Sequence, residues 1–269
     1  MPTLSRPGQS LTLLISREPA PELPTTAASK TIWRDGEGDI VAFGGTVPEG
    51  RWVTVPGVGS FVFRQLSDPI VGYPDQGVSD RLVEDAHRRT ILPLALQALG
   101  REVLHASAVL APSGVLALCA VSGTGKSTTA AAISRSGLPL WADDAVQFSI
   151  TGSTVEAIPL PFVLRLKDNP SLPSEVYAPP AAPLAAVFIL ERDDSGSDVS
   201  ITRLEAVDAF PAVLTHAYCF DLDDAERKRR MMDSYLALVT RVPVFRVASP
   251  TGLEHVAGVV DRILDAHAS

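Results

Sequence analysis

Val115-Leu116-Ala117-Leu118-Cys119-Ala120-Val121-Ser122-Gly123-Thr124-Gly125-Lys126-Ser127 is the stretch that decides the fold. An apolar run of strand length passes into a turn carrying two glycines, and a helical segment follows from Thr128 to Ser134. Strand, loop and helix in that order are the context a phosphate-binding loop requires. Gly123 and Gly125 let the backbone bend until its N–H groups face inward at phosphate oxygens. The N-terminus of the following helix adds partial positive charge. Lys126 is placed to reach the outer phosphates, and the Ser127 hydroxyl to bind Mg²⁺. Thr124 and Thr128 complete the nucleotide-contacting stretch. Ala120 stands where the usual pattern has glycine, but Gly-x-Gly-Lys-Ser is intact.

Working outward, Leu138-Pro139-Leu140-Trp141-Ala142 reads as a short buried strand ending in Asp143-Asp144. Carboxylates at a strand end beside a phosphate loop can hold Mg²⁺ or take a proton from an attacking hydroxyl. A single helix and turn separate Lys126 from Asp143, so the two strands are expected to be sheet neighbours. In isolation the acidic pair would read as a solvated turn; beside the loop it reads as part of a site. Upstream, Val103 to Val109 reads as one strand that hairpins through Pro112-Ser113-Gly114 into the loop-bearing strand. That strand carries His105, a third polar element at the same sheet edge.

These three motifs, in this order and spacing, resemble the catalytic domain of HPr kinase/phosphorylase. They are still more similar to its shorter relatives, the HPr-kinase-like proteins found beside peptide-modification genes, some of which phosphorylate a serine of lasso-peptide precursors. The resemblance covers the chain from Glu102 onward, including Val242-Pro243-Val244-Phe245-Arg246-Val247 and the final helix. It implies an α/β phosphate-loop kinase domain of the HPr kinase type with a mixed sheet. It also implies ATP as phosphoryl donor, with Mg²⁺, and a serine hydroxyl of a peptide or protein as acceptor. Lys126 would hold the β- and γ-phosphates, Asp143 would be the base, and Asp144 would join Ser127 at the metal or orient Asp143. His105 would hydrogen-bond the carboxylates. The glycine-rich signature with a metal-binding Glu that the longer kinases carry is missing: the matching stretch runs from Ile158 to Lys167 without glycine or glutamate. Its Arg165 and Lys167 are candidates for phosphate contact or for a strand's exposed face. Two other functions stay open: a kinase of a small hydroxylated metabolite, and a nucleotide-dependent binding module without catalysis.

Composition is compatible with this reading. A length of 269 residues allows one large or two modest domains. The expected division is a β-rich module over 1–78 and the nucleotide-binding domain over 79–269. A net charge of −8 opposes non-specific nucleic-acid binding, which needs a basic field. Two cysteines, Cys119 and Cys219, make a disulfide framework implausible and suit a reducing cytoplasm. No apolar run of membrane-spanning length occurs, so no membrane partner is expected; an oligomer stays open. Ser79 is read as the cap of a helix running to Leu99 and kinked at Pro93. Helices are also expected over 206–218, 223–240 and 252–266, and Asp168 to Ala186 is read as a proline-rich loop, either a flap over the site or an inert surface excursion. Arg227-Lys228-Arg229-Arg230 is read as a solvated helix face.

Overall fold

A computed structural model describes residues 11–24, 31–34, 39–48, 50–121, 123–163, 176–177, 179–196, 198–221 and 223–268. Arg165, Lys167 and positions 168–175 and 178 of the proline-rich stretch lie outside the described residues, and the rest of that stretch is not all loop: Val176–Tyr177 is a short strand and 182–186 begin another. The chain divides into two compact units: residues 1–101 with 219–228, and residues 102–218 with 229–269.

The first unit is built on one six-stranded sheet. Its strands are β1 (Leu13–Ile15), β2 (Thr31–Arg34), β3 (Ile40–Val47), β4 (Gly50–Val55), β5 (Gly59–Phe63) and β6 (Ile70–Pro74). They lie in the order β1-β6-β5-β4-β3-β2, antiparallel except for the β1–β6 pair. Gly- and Pro-containing turns between short β-branched and aromatic runs produce this meander. Helices α1 (Asp80–Ala86) and α2 (Leu92–Ala98) follow, joined by a π-helical turn over His87–Ile91.

The irregularity in this segment is thus the π-helical turn before Pro93. Pro93 sits at the start of α2, where its missing N–H is tolerated. These helices belong to the β-rich unit, so the division falls at Arg101 and not at 78. Val83 and Ile91 are buried, His87 hydrogen-bonds the Leu11 backbone, and Arg17 pairs with Asp80 at 2.6 Å. Phe220 packs 5.7 Å from both Trp33 and Phe63, and its N–H donates to Gln97 Oε1 at 2.8 Å, which draws residues 219–228 into the same unit. Arg227 is buried rather than solvated, giving its guanidinium to the carbonyls of Gln97 (2.8 Å) and Arg101 (3.1 Å).

The second unit opens with β7 (Glu102–Leu104), β8 (Ala106–Ala111) and β9 (Gly114–Ala120), then α3 (Lys126–Arg135). Next come β10 (Leu140–Ala142), β11 (Val146–Thr151), β12 (Thr154–Pro159), β13 (Phe162–Val163), β14 (Val176–Tyr177) and β15 (Ala182–Arg192). The chain closes with β16 (Ser200–Leu204), α4 (Ala206–Leu214), α5 (Ala225–Val239, straddling the two units), β17 (Val244–Ser249) and α6 (Val256–Ala268). Strands run β10-β8-β9-β15-β12-β11-β7, with β17 also on β15 and β16 on β17. The sheet is mixed: β8 and β9 form the expected hairpin, while β9, β15 and β17 are mutually parallel.

Two local expectations change. The stretch 103–109 is two strands, because the chain breaks at His105 and β7 pairs with β11 while β8 pairs with β9. The strand ending at the acidic pair is not a neighbour of β9; β8 lies between them. Every residue of β9 is buried, as a strand covered on both faces requires. Leu116 and Leu118 of β9, Phe188 and Leu190 of β15 and Val247 of β17 pack with Ala130 and Ile133 of α3 and Val260 and Ile263 of α6. This core fixes α3, and with it the loop that precedes α3, on one sheet edge. No helix among the described residues is long and apolar enough to cross a membrane.

Candidate nucleotide-binding and phosphotransfer site

The loop between β9 and α3 has the backbone its glycines permit. Gly123 (φ 83°) and Gly125 (φ 102°) are left-handed, a region where a side chain is strained. The Thr124 N–H donates to the Val121 carbonyl at 3.1 Å, closing the turn. Gly125 caps α3 without a side-chain hydrogen bond, so the first N–H groups of the helix face the loop.

Lys126 and Ser127 turn toward the acidic pair. The Lys126 ammonium is buried and donates to Ser107 Oγ at 3.3 Å and to Asp144 Oδ1 at 3.5 Å. Ser107 is fully buried, and its hydroxyl donates to Asp143 Oδ1 at 2.9 Å. The Ser127 hydroxyl donates to the same oxygen at 3.3 Å. Successive residues on a strand face opposite ways, yet both carboxylates reach this cluster. The reason is local: β10 ends at Ala142, and Asp144 has φ 67°, the one left-handed non-glycine residue among the described residues.

His105 sits at the break between β7 and β8, where its N–H donates to the His216 carbonyl at 2.7 Å. Its Nδ1 lies 3.2 Å from the Tyr218 hydroxyl, and its side chain also bonds the Asp144 backbone. The Tyr218 hydroxyl lies 3.5 Å from the Asp144 carbonyl. His105 and Tyr218 thus grip the turn that holds Asp144. Burial first, then the Lys126 charge, lower the His105 pKa to about 4 against the pull of Asp144. Burial, then Asp144, push the Tyr218 hydroxyl well above its ordinary range. At neutral pH His105 is uncharged and Tyr218 protonated, so both act as neutral hydrogen-bonding groups. Cys119, buried behind the loop, has its thiol pushed up to about 12 by burial, which leaves it inert as a nucleophile.

On the other flank of the loop lies a cleft of about 320 Å³. Gly123, Thr124, Gly125 and Thr128 face it, as do Arg192 at the end of β15 and the turn from Ser249 to Leu253. The sequence reading thus named residues on both flanks of the loop, and Lys126, Ser127, Asp143, Asp144 and His105 come together on one of them. It missed Ser107, Tyr218 and Arg192. A serine in an otherwise apolar strand and an arginine closing one were the available signals. Ser127 meets Asp143, while Asp144 meets Lys126. Among the described residues no group of three His, Cys, Asp or Glu side chains is placed to hold a metal ion by itself.

No family model and no curated protein matches this chain. Among solved structures, it is similar to the Hpr(Ser) kinase/phosphatase from Coxiella burnetii. That likeness has 9% identity and a TM-score of 0.33, and covers 61% of this chain and 97% of the other. A superposition this loose carries no residue correspondence.

Proposed function

We propose that this protein is an ATP-dependent phosphotransferase that moves the γ-phosphoryl group to a hydroxyl, most readily a serine of a peptide or protein. One observation carries the reading: the lysine and serine of a phosphate loop each meet a carboxylate within 3.5 Å, Lys126 at Asp144 and Ser127 at Asp143, and the Ser107 hydroxyl links Lys126 to Asp143. A protein that only binds nucleotide needs the loop but has no use for a half-buried acidic pair against it. A metabolite hydroxyl would serve the same chemistry, and that acceptor is the alternative within this class.

In this reading the loop N–H groups and Lys126 hold the polyphosphate, and the charge of Lys126 counters the negative charge of the transferring group. Ser127 and a carboxylate would hold Mg²⁺, whose chemistry is to neutralise the phosphates and orient them. Asp143 takes the proton of the acceptor hydroxyl as its oxygen bonds the γ-phosphorus. The bond from that phosphorus to the bridging oxygen breaks, and ADP leaves with the electron pair. His105 and Tyr218 hold Asp144 in its left-handed turn. A second division of labour, Asp143 at the cation and Asp144 as base, is favoured by the Ser127–Asp143 hydrogen bond.

The test is calorimetric titration with ATP–Mg²⁺ beside intact-mass measurement of a serine-bearing acceptor. Lys126→Ala should lose ATP affinity. Replacement of the base by Asn should keep affinity within a small factor and lose on the order of 10²–10⁴-fold in transfer. Unchanged affinity in Lys126→Ala would sink the nucleotide assignment. Full transfer by both Asp143→Asn and Asp144→Asn would remove the acidic pair from the mechanism.

A further inference from the structure

The loop has two flanks, and only one is occupied by the acidic cluster. Three parallel strands, β9, β15 and β17, end together at Ala120, Arg192 and Ser249. Ligands of α/β sheets bind in the crevice outside such carboxyl ends. The cleft of about 320 Å³ lies there.

Lys126 and Ser127 point away from the cleft toward Asp143 and Asp144, whereas Thr128 and Thr129, next along the same helix, line it. A linear polyphosphate lying across the start of α3 must therefore place its two ends on opposite flanks. The end at Lys126 is the reacting one, because the carboxylates are there.

The other end meets an apolar slot with a cation at its entrance. Val247, Val256, Val259 and the exposed Leu253 supply apolar wall, which suits the faces of a purine or pyrimidine. Arg192 Nη1 donates to the Pro250 carbonyl at 3.1 Å, which holds the guanidinium over the loop. A Cβ placed on Gly125 would lie 3.6 Å from Arg192 Nη2, so this cation stands directly beside the loop backbone. The wall is braced. The Asp193 N–H donates to the Ser249 carbonyl at 3.0 Å, and Asp194 accepts from the Thr251 N–H at 2.6 Å.

We infer that this cleft binds the nucleoside end of the nucleotide and that Arg192 contacts the phosphate nearest the nucleoside, opposite the reacting phosphate at Lys126. The inference rests on the phosphate-loop reading and adds the direction in which the nucleotide lies.

The test compares two probes, ATP–Mg²⁺ and inorganic tripolyphosphate–Mg²⁺, by titration calorimetry on the full chain. Arg192→Ala removes a charge-assisted hydrogen bond and should weaken ATP roughly 10- to 100-fold. Val256→Phe fills the slot and should weaken ATP by a similar factor. Val256→Phe should leave tripolyphosphate within about threefold of wild type, which also shows that the loop is still folded, whereas Arg192→Ala should weaken tripolyphosphate as well, because that probe also carries the third phosphate. Lys126→Ala should weaken both probes. Equal losses for the two probes in Val256→Phe, or an unchanged ATP affinity in either cleft variant, would overturn the inference. Unchanged affinity for both probes in Lys126→Ala would instead overturn the phosphate-loop reading, whatever the cleft variants do.

Discussion

Replacing His105 with Asn should make the protein less sensitive to acid, by an amount the structure sets. The His105 imidazole has its pKa lowered from 6.5 to about 4, first by burial and then by the Lys126 charge. In the unfolded chain it titrates near its ordinary value. The unfolded state therefore binds a proton that the folded state refuses throughout the interval between these values. Stability from this group is present in full above the unfolded pKa. It falls as pH drops through 6.5 toward 4, and the slope vanishes where both states are protonated. Integrating the two titrations between about pH 7.5 and about pH 4.5 gives a loss of roughly 2–3 kcal/mol for this residue. Asn does not titrate there and can still hydrogen-bond. At about pH 7.5 the variant should be modestly less stable, by about 1 kcal/mol, for lost packing and a changed bond to Tyr218. At about pH 4.5 the difference should have moved by roughly 2–3 kcal/mol in favour of the variant. Urea unfolding followed by fluorescence reads this out, because Trp141 is buried in the same unit. Taking the difference between wild type and variant at each pH cancels the other titrating groups, including His87, whose pKa is also lowered to about 4. Parallel pH dependences of the two proteins would refute the reasoning, since His105 would then titrate alike folded and unfolded.

Ser107→Ala removes a fully buried hydroxyl that accepts from Lys126 and donates to Asp143, and should lower the unfolding free energy by roughly 1.5–3 kcal/mol, read from urea midpoints at neutral pH. An unchanged midpoint would mean that the hydroxyl does not couple the two charged groups. In the other unit, adjacent glycines should behave oppositely. A Cβ on Gly44 would run into the Trp52 carbonyl across the sheet, so Gly44→Ala should destabilise by about 1–3 kcal/mol. A Cβ on Gly45 would lie 3.5 Å from Trp52 Nε1, in ordinary contact, so Gly45→Ala should be neutral or stabilising by up to about 1 kcal/mol in thermal unfolding.

The sequence by itself determined the strand, glycine turn and helix around Gly123-Thr124-Gly125-Lys126-Ser127. These pieces are local: an apolar run long enough for a buried strand, two glycines where the backbone must turn left-handed, and Lys-Ser at the first turn of a helix. Each follows from steric limits or backbone hydrogen bonding within a few residues, so each is legible without the rest of the chain. The same holds for the β8–β9 hairpin and for the acidic pair closing a short strand. The tertiary structure alone decided what these pieces meet. Asp143 and Asp144 reach Ser127 and Lys126 although β8 separates their strand from β9, and Ser107 of β8, which reads as core in the sequence, links Lys126 to Asp143. The single-strand expectation failed at His105 because β7 finds its partner in β11, far along the chain. Arg227 looked solvated because its acceptors are the carbonyls of Gln97 and Arg101, and Arg192 gained its place beside Gly125 because β15 lies parallel to β9. All of these depend on which distant strands pair and in what register. That choice is made by burying the whole apolar surface at once, and a local window of sequence does not contain it.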